Sequence, residues 1–141
     1  MQSVLIYGDS QTWGAVPRGG PPGQAERHAW ADRWPNVLSK VLGSDFDVIS
    51  DALCGRTTAY DDHLSAENRN GAATLPNVLG THAPVDLVII MLGVNDLKRA
   101  QAGTARRSSR AGAAPVPGGP NRTPRRPRPD RLTAVALHNI F

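Results

Sequence analysis

The sequence has little cysteine and no long hydrophobic run. Cys54 is the only cysteine among the 141 residues, which excludes an internal disulfide and is typical of a reducing compartment. No apolar stretch reaches the length of about 18 residues that a membrane-spanning helix requires. The first residues lead directly into an apolar strand, without the basic and apolar regions of a secretory signal. We therefore expect a cytoplasmic protein that does not bind membranes.

Acidic residues are almost absent from the last part of the chain. Residues 99–141 contain nine arginines, no lysine and one acidic residue, Asp130, whereas the preceding residues carry all the other carboxylates. The last segment has a net charge of +8 and the rest of the chain −4, so the sequence pI of about 10.0 describes the last segment and not the rest of the chain. We divide the chain into a globular part, 1–98, and an Arg/Ala/Pro-rich tail, 99–141.

Two explanations of the tail composition stay open. Its abundant Ala, Arg, Pro and Gly have codons rich in G and C, which indicates a shifted reading frame or a misjoined end on a GC-rich gene. A natural segment of this composition would be disordered, because it cannot bury enough apolar surface to offset its chain entropy.

The arginines also support a rival function, binding of nucleic acid through phosphate contacts. No aromatic residues or recognised motif accompany them, so specific nucleic-acid recognition is not expected.

The hydrophobic pattern before the tail alternates between strands and helices. It predicts strands over residues 3–7, 46–50 and 86–92, and helices over 31–42 and from about 71 to 79. The last of these strands is apolar at nearly every position, which is typical of a strand covered on both faces. This alternation predicts an α/β fold with a parallel sheet and right-handed crossovers.

A short polar motif follows each predicted strand: Gly8-Asp9-Ser10, Cys54-Gly55-Arg56 and Gly93-Val94-Asn95-Asp96. Ligands of open α/β sheets bind outside the carboxyl ends of the strands, so we expect the motifs to lie together. Ser10 then has the position of a nucleophile at a strand-to-helix turn. Taken singly, each motif also has a purely structural explanation, as a helix cap or a turn.

The motifs resemble those of the SGNH hydrolases, also called GDSL-like esterases, whose four signature blocks are named for Ser, Gly, Asn and His. Ser10, Gly55 and Asn95 match the first three blocks in the family's order. The strings Gly-Asp-Ser-x-Thr-Trp-Gly and Asp-Leu-Val-Ile-Ile-Met-Leu-Gly are similar to the intracellular bacterial arylesterase and acyltransferase branch. The resemblance covers residues 2 to about 98. Gln11 replaces the Leu of the family's short name, and the last block, Asp-x-x-His, is absent.

The resemblance implies a flavodoxin-like, three-layer α/β/α fold whose parallel sheet is truncated here after the third strand. It implies that Ser10 is the nucleophile, and that an oxyanion hole forms from the backbone N–H groups of Ser10 and Gly55 and the side-chain amide of Asn95. Trp13 would wall the substrate pocket, with core packing as the alternative. The implied substrate is a small or aryl ester, with no cofactor and no metal, and close relatives suggest a homo-oligomer.

None of the histidines His28, His63, His82 and His138 has the sequence context of the missing catalytic base. A serine hydroxyl is a poor nucleophile until a base removes its proton. We therefore expect an impaired esterase, and a catalytically dead fragment is the alternative. The third strand would also be left with a bare apolar edge, which predicts poor solubility.

Overall fold

The structure is a computed structural model that describes residues 1–17 and 26–97 together with the backbone of residues 133–138. Its helices and strands, in chain order, are β1 (Gln2–Gly8), α1 (Ser10–Trp13), α2 (Trp34–Leu42), β2 (Phe46–Ala52), α3 (Gly71–His82), β3 (Leu87–Leu92) and β4 (Thr133–His138). Short 3-10 turns lie at Trp30–Asp32, Gly43–Asp45 and Val94–Leu97. No helix of the described ranges is long and apolar enough to cross a membrane.

The described strands form one parallel sheet in the order β2-β1-β3-β4. Gly8, the last residue of β1, pairs with Ala52 on one side and with Met91 on the other. The carboxyl ends of these three strands therefore lie at one edge of the sheet, and the motifs that follow them start side by side. The predicted fold class, a parallel α/β sheet, is confirmed.

The sheet continues beyond β3, which corrects the expectation that it is truncated there with a bare edge. β4 pairs in parallel with β3, from Leu87 against Thr133 to Leu92 against His138. The composition of the whole tail concealed this strand, because six residues suffice for a strand and the average over residues 99–141 is dominated by Arg, Ala and Pro. Residues 98–132 and 139–141 lie outside the described residues, so the division of the chain at residue 98 stays a prediction.

Helices cover the sheet on both faces, and β1 lies at the centre of the core. Val4, Leu5, Ile6 and Tyr7 are each at most 2% exposed. The Tyr7 ring packs with Leu75 of α3, whereas a Cβ on the next residue, Gly8, would point at Thr12 of α1. Because successive residues of a strand face opposite sides, α3 and α1 lie on different faces. This is the three-layer arrangement expected from the resemblance.

The predicted helices agree with α2 and α3 except at their ends. α2 begins at Trp34, with Pro35 in its first turn, and the residues before it form a 3-10 turn. Proline fits a first helical turn because its missing N–H has no intrahelical partner there. α3 continues to His82, past the predicted end at about residue 79. The four-residue α1 was not predicted, since one turn is too short to show a helical period.

Candidate active site

The first motif makes a tight turn from β1 into α1. The Asp9 carboxylate caps the helix by accepting a hydrogen bond from the Gln11 N–H at 3.0 Å. Only glycine fits at position 8, because a Cβ there would lie 2.1 Å from Thr12 Oγ1. Gly14 ends the helix with a left-handed φ of 89°. Half-buried Ser10 is thereby held at the start of α1, beyond the carboxyl end of β1.

The second motif places Gly55 at a point where a side chain would not fit. Its φ is +83°, a conformation that favours glycine, and a Cβ would lie 2.9 Å from the Arg69 Nη1 atom. The Leu53 N–H donates to the Gly8 carbonyl at 3.2 Å, which holds the end of β2 beside the end of β1. The buried backbone of Gly55 therefore follows closely on the turn that carries Ser10.

The Asn95 side chain joins the three motifs. Its Nδ2 atom donates to the Arg56 carbonyl at 3.0 Å and contacts the Asp9 carboxylate at 3.4 Å. Asn95 is 6% exposed, and its partners are the neighbours of Gly55 and Ser10 in the sequence. The structure thus brings Ser10, Gly55 and Asn95 to the same edge of the sheet.

The Arg56 side chain links the ends of β1 and β2 by hydrogen bonds. Its Nη1 atom donates to the carbonyls of Gly8 at 3.1 Å and Asp51 at 2.9 Å, and its Nη2 atom donates to Asp51 Oδ1 at 2.8 Å. The guanidinium also lies 4.0 Å from the centre of the Tyr7 ring, a favourable cation–π distance. Arg56 is therefore a structural ion-pair partner of Asp51, and it supports the backbone on which the motifs lie.

The carboxylate of Asp96 links the third motif to the loop that follows the second. It accepts hydrogen bonds from the Thr58 backbone N–H at 2.8 Å and from the Thr58 hydroxyl at 2.5 Å. Asp96 is fully buried, and ionised hydrogen-bond partners of this kind are stronger than neutral ones. These contacts orient the loop and leave Asn95, one residue earlier, pointing at the other two motifs.

Trp13 lies three residues after Ser10, in the same short helix, and is half-buried. The Arg27 Nε atom donates to the Trp13 carbonyl at 2.7 Å, and the Arg27 guanidinium lies 4.5 Å from the centre of the indole ring. Sequence reasoning missed Arg27 at this position, as it missed Arg69 against Gly55. Both arginines lie in loops, whose course no local pattern in the sequence reveals.

No side chain within residues 1–17 and 26–97 hydrogen-bonds the Ser10 hydroxyl. His63 lines an open cavity of about 410 Å³ between residues 61 and 69, and His82 ends α3. His138 ends β4 in register with Leu92, and only its backbone is described. The same described ranges contain no cluster of three metal-ligating side chains. Within these ranges Ser10, Gly55 and Asn95 therefore lie at one edge of the sheet, and the Ser10 hydroxyl has no side-chain hydrogen-bond partner.

Comparisons with known proteins agree on one family. Residues 6–136 match the model of the GDSL-like Lipase/Acylhydrolase family. A carbohydrate acetylesterase family member from Sinorhizobium meliloti is 47% identical, with a TM-score of 0.77 over 96% of this chain. The native aryl esterase of M. smegmatis is 50% identical, with a TM-score of 0.62 over 68% of this chain. Est24, a carbohydrate acetylesterase from Sinorhizobium meliloti, is 38% identical, with a TM-score of 0.71 over 79% of this chain. No curated protein sequence matches the chain significantly.

This chain is shorter than the proteins it resembles. It covers 62% of the first acetylesterase, 44% of the aryl esterase and 51% of Est24. The family-model match, over residues 6–136, includes all three motifs.

Proposed function

The chain belongs to the GDSL-like Lipase/Acylhydrolase family, and from this membership we propose that its site is that of an SGNH-type serine esterase. The proposed reaction is hydrolysis or transfer of the acyl group of small or aryl esters. The observation that carries the proposal is the Asn95 amide, which touches Arg56 beside Gly55 and Asp9 beside Ser10. These contacts support the proposal because they place the Asn95 amide next to the residues whose backbone N–H groups would be the other donors to an oxyanion, and acyl transfer requires such donors.

In the proposed mechanism, Ser10 Oγ attacks the carbonyl carbon of the ester and the carbonyl oxygen becomes negative. The backbone N–H groups of Ser10 and Gly55 and one N–H of Asn95 stabilise this oxyanion. One such donor contributes roughly 2.7 to 4 kcal/mol to lowering the barrier. The C–O bond to the alcohol then breaks, and the alcohol leaves with the proton that the Ser10 hydroxyl has lost. Water or a second alcohol next takes the acyl group from Ser10 and gives its proton back to the serine oxygen. The reaction is hydrolysis when water accepts the acyl group and acyl transfer when a second alcohol accepts it.

The geometry of Asn95 indicates which of its two N–H groups would serve the oxyanion. The 3.0 Å bond to the Arg56 carbonyl is a normal hydrogen bond, whereas the 3.4 Å contact with Asp9 is longer than the usual range. The N–H toward Asp9 is therefore the weaker-bound one and the one that a developing oxyanion would attract. The N–H toward Arg56 would keep the amide plane in place during the reaction.

The lack of a base for Ser10 in the described ranges sets the expected level of activity. In a serine protease, loss of the catalytic histidine costs about 10⁶-fold in kcat, and the oxyanion hole and substrate binding retain roughly 10³- to 10⁴-fold over water. We propose slow ester hydrolysis of this order, with a catalytically dead fragment as the competing explanation. No cofactor enters the proposed chemistry.

The substrate class follows from the relatives and from one cavity. The relatives are aryl esterases and carbohydrate acetylesterases, so aryl acetates and acetylated sugars are the proposed substrates. The cavity between residues 61 and 69 has polar walls and reaches Arg69, which contacts Gly55. Its hydrogen-bonding groups suit a hydroxyl-rich alcohol. The single cysteine supports the further proposal of a cytoplasmic location.

The first test compares the chain with its Ser10→Ala variant in hydrolysis of p-nitrophenyl acetate, at matched concentration and with folding checked by circular dichroism. We expect slow turnover above the buffer rate that Ser10→Ala abolishes. Ser39→Ala, which removes a hydroxyl from α2, is the matched control and should leave the rate unchanged. Equal near-background rates for the chain and Ser10→Ala would contradict the proposal and support the dead fragment.

His138→Ala belongs in the same experiment. Its backbone lies at the same end of the sheet as the three motifs, two strands from β1. We expect no effect on the rate, because His138 lies outside the family's Asp-x-x-His block. Loss of turnover in His138→Ala with folding intact would identify it as the base.

A further inference from the structure

A second cavity lies on the opposite face of the sheet from α3, between α1, the turn Trp30–Asp32, the start of α2 and β2. Its volume is about 370 Å³, within the range of roughly 300 to 1,000 Å³ found for small-molecule sites. Polar and aromatic side chains line it: Thr12, Arg27, Trp30, Arg33, Asn36 and Ser50. None of Ser10, Gly55 and Asn95 is among the described residues that line this cavity.

Two positive charges face this cavity without a carboxylate to balance them. Arg56 and Arg69 are ion-paired, but Arg27 and Arg33 form no salt bridge within residues 1–17 and 26–97. The sequence contains only one acidic residue outside those ranges, Asp130. Loss of hydration, and then the nearby charge of Arg33, lower the pKa of the Arg27 guanidinium. A bound anion would relieve this repulsion.

In each of the two arginines, the Nε atom makes the hydrogen bond that holds the guanidinium group. The Nε of Arg27 donates to the Trp13 carbonyl at 2.7 Å, and the Nε of Arg33 donates to the His28 carbonyl at 3.0 Å. Anchoring at Nε holds each group, and within residues 1–17 and 26–97 the terminal nitrogens of both arginines make no hydrogen bond. Paired terminal nitrogens match the two oxygens of a carboxylate or the oxygens of a phosphate.

The other walls of the cavity include the exposed indole of Trp30 and the buried hydroxyl of Thr12. Trp30 is 68% exposed, unusual for so large an apolar side chain, and its carbonyl accepts a hydrogen bond from Asn36 Nδ2 at 2.6 Å. Thr12 is 1% exposed, and its Oγ1 atom has no hydrogen-bond partner in the described ranges. This hydroxyl lies against Gly8 of β1, where a Cβ would come within 2.1 Å of Oγ1, so Thr12 is a buried part of the cavity wall and the ligand contacts come from the arginines and the indole.

We propose that this cavity binds a small aromatic anion, whose carboxylate or phosphate group contacts Arg27 and Arg33 while its ring lies on Trp30. This site is separate from the proposed esterase site and does not depend on catalysis at Ser10. The ligand class follows from the wall chemistry, since two guanidinium forks select an oxyanion and an exposed indole selects a flat apolar group.

Titration calorimetry on the full chain tests the site with benzoate, phenyl phosphate and benzyl alcohol. Both anions should bind, and the neutral alcohol, which has the same ring, should bind at least tenfold more weakly. The stronger of the two anions identifies carboxylate or phosphate as the preferred group. Trp30→Ala should weaken benzoate more than acetate, because only benzoate has a ring to place on the indole.

Arg27→Gln is the main variant, because Arg27 is exposed and its guanidinium lies over the Trp13 ring. We expect it to weaken the preferred anion at least tenfold. Lys40→Gln is the matched control, since it removes the same charge from an exposed position of α2, and it should not change the affinity. Arg33 is less suitable for this test because its side chain packs against Gly14.

Three results would overturn the proposal. The first is absence of binding of both anions at millimolar concentration to a chain that is folded by circular dichroism. The second is equal weakening by Arg27→Gln and Lys40→Gln, which would show general charge attraction. The third is loss of binding in Ser10→Ala, which would place the anion in the esterase site. These three tests measure anion binding, so they stay valid even if the chain does not hydrolyse esters.

Discussion

At the scale of single residues, buried polar side chains organise the site. Asn95, Asp96 and Arg56 are each at most 6% exposed, and each has hydrogen-bond partners on a different segment of the chain. Buried polar groups with satisfied hydrogen bonds fix one arrangement of a core. The order of the motifs identified Asn95 as a site residue, but its contact with the Arg56 carbonyl, 39 residues earlier, could not be derived from local patterns.

Tyr7 gives a prediction about pH at this scale. Its buried hydroxyl donates to the Gly71 carbonyl at 3.0 Å and shares a 2.5 Å hydrogen bond with Thr74. Burial raises the pKa of the Tyr7 hydroxyl, and the bond to Thr74 opposes this rise. Because the pKa is higher in the folded state, the stabilisation is complete below the unfolded pKa of about 10. It is lost as the pH rises through the folded value.

Urea unfolding of the chain and of Tyr7→Phe between pH 7 and 11 checks this prediction. At pH 7, Tyr7→Phe should lower the free energy of unfolding by about 1 to 2 kcal/mol, because the Gly71 carbonyl and the Thr74 hydroxyl each lose a hydrogen-bond partner. Above pH 10 the difference should shrink, since the variant lacks the titrating group. Tyr60→Phe is the control and should retain the full alkaline loss. A constant difference across the pH range would contradict the assignment to Tyr7.

At the scale of secondary-structure elements, the motifs are held by links between strand ends. Arg56 bonds to the last residue of β1 and to Asp51 in β2, and the Leu53 N–H bonds to β1 as well. The long strands and helices could be predicted because their apolar positions repeat with a clear period. α1 and β4 could not, since one has a single turn and the other lies within an Arg/Pro-rich segment.

Arg56→Met tests the link between β1 and β2. The substitution keeps an apolar stem of similar length and removes three charged hydrogen bonds, one of them to the half-buried Asp51. We expect the free energy of unfolding to fall by about 2 to 3 kcal/mol in urea titrations. Lys40→Met makes the same chemical change on the exposed face of α2 and should cost much less. Equal losses in the two variants would show that Arg56 does not join the strands.

At the scale of the whole molecule, β4 gives the last part of the chain a structural role, because it covers the edge of β3. Without it, the apolar strand β3 would form the edge of the sheet, and its unpaired backbone groups would be open to another chain. β4 satisfies these groups along the whole length of β3. A segment that by composition would be a disordered or frame-shifted tail thus contributes one strand to the parallel sheet.

Truncation after Leu97 tests the contribution of β4. The chain of residues 1–97 should form larger species than the full chain in light scattering coupled to size exclusion, because β3 is then an exposed edge. A full-length variant with residues 99–132 scrambled and 133–138 retained separates the effect of β4 from that of the tail charges. It should behave as the unaltered chain does. A monomeric truncated chain with an unchanged melting temperature would show that β4 is dispensable.

The sequence by itself determined the α/β class, the strands β1 to β3, the helices α2 and α3 and the order of the three motifs. These features depend on residues within a few positions of one another, where hydrophobic period and turn chemistry act. The tertiary structure alone decided that β4 lies beside β3, that Arg27 covers Trp13 and faces a cavity with Arg33, and that Asn95 reaches Arg56. Such contacts join distant segments, and their geometry depends on the path of the whole chain across the sheet.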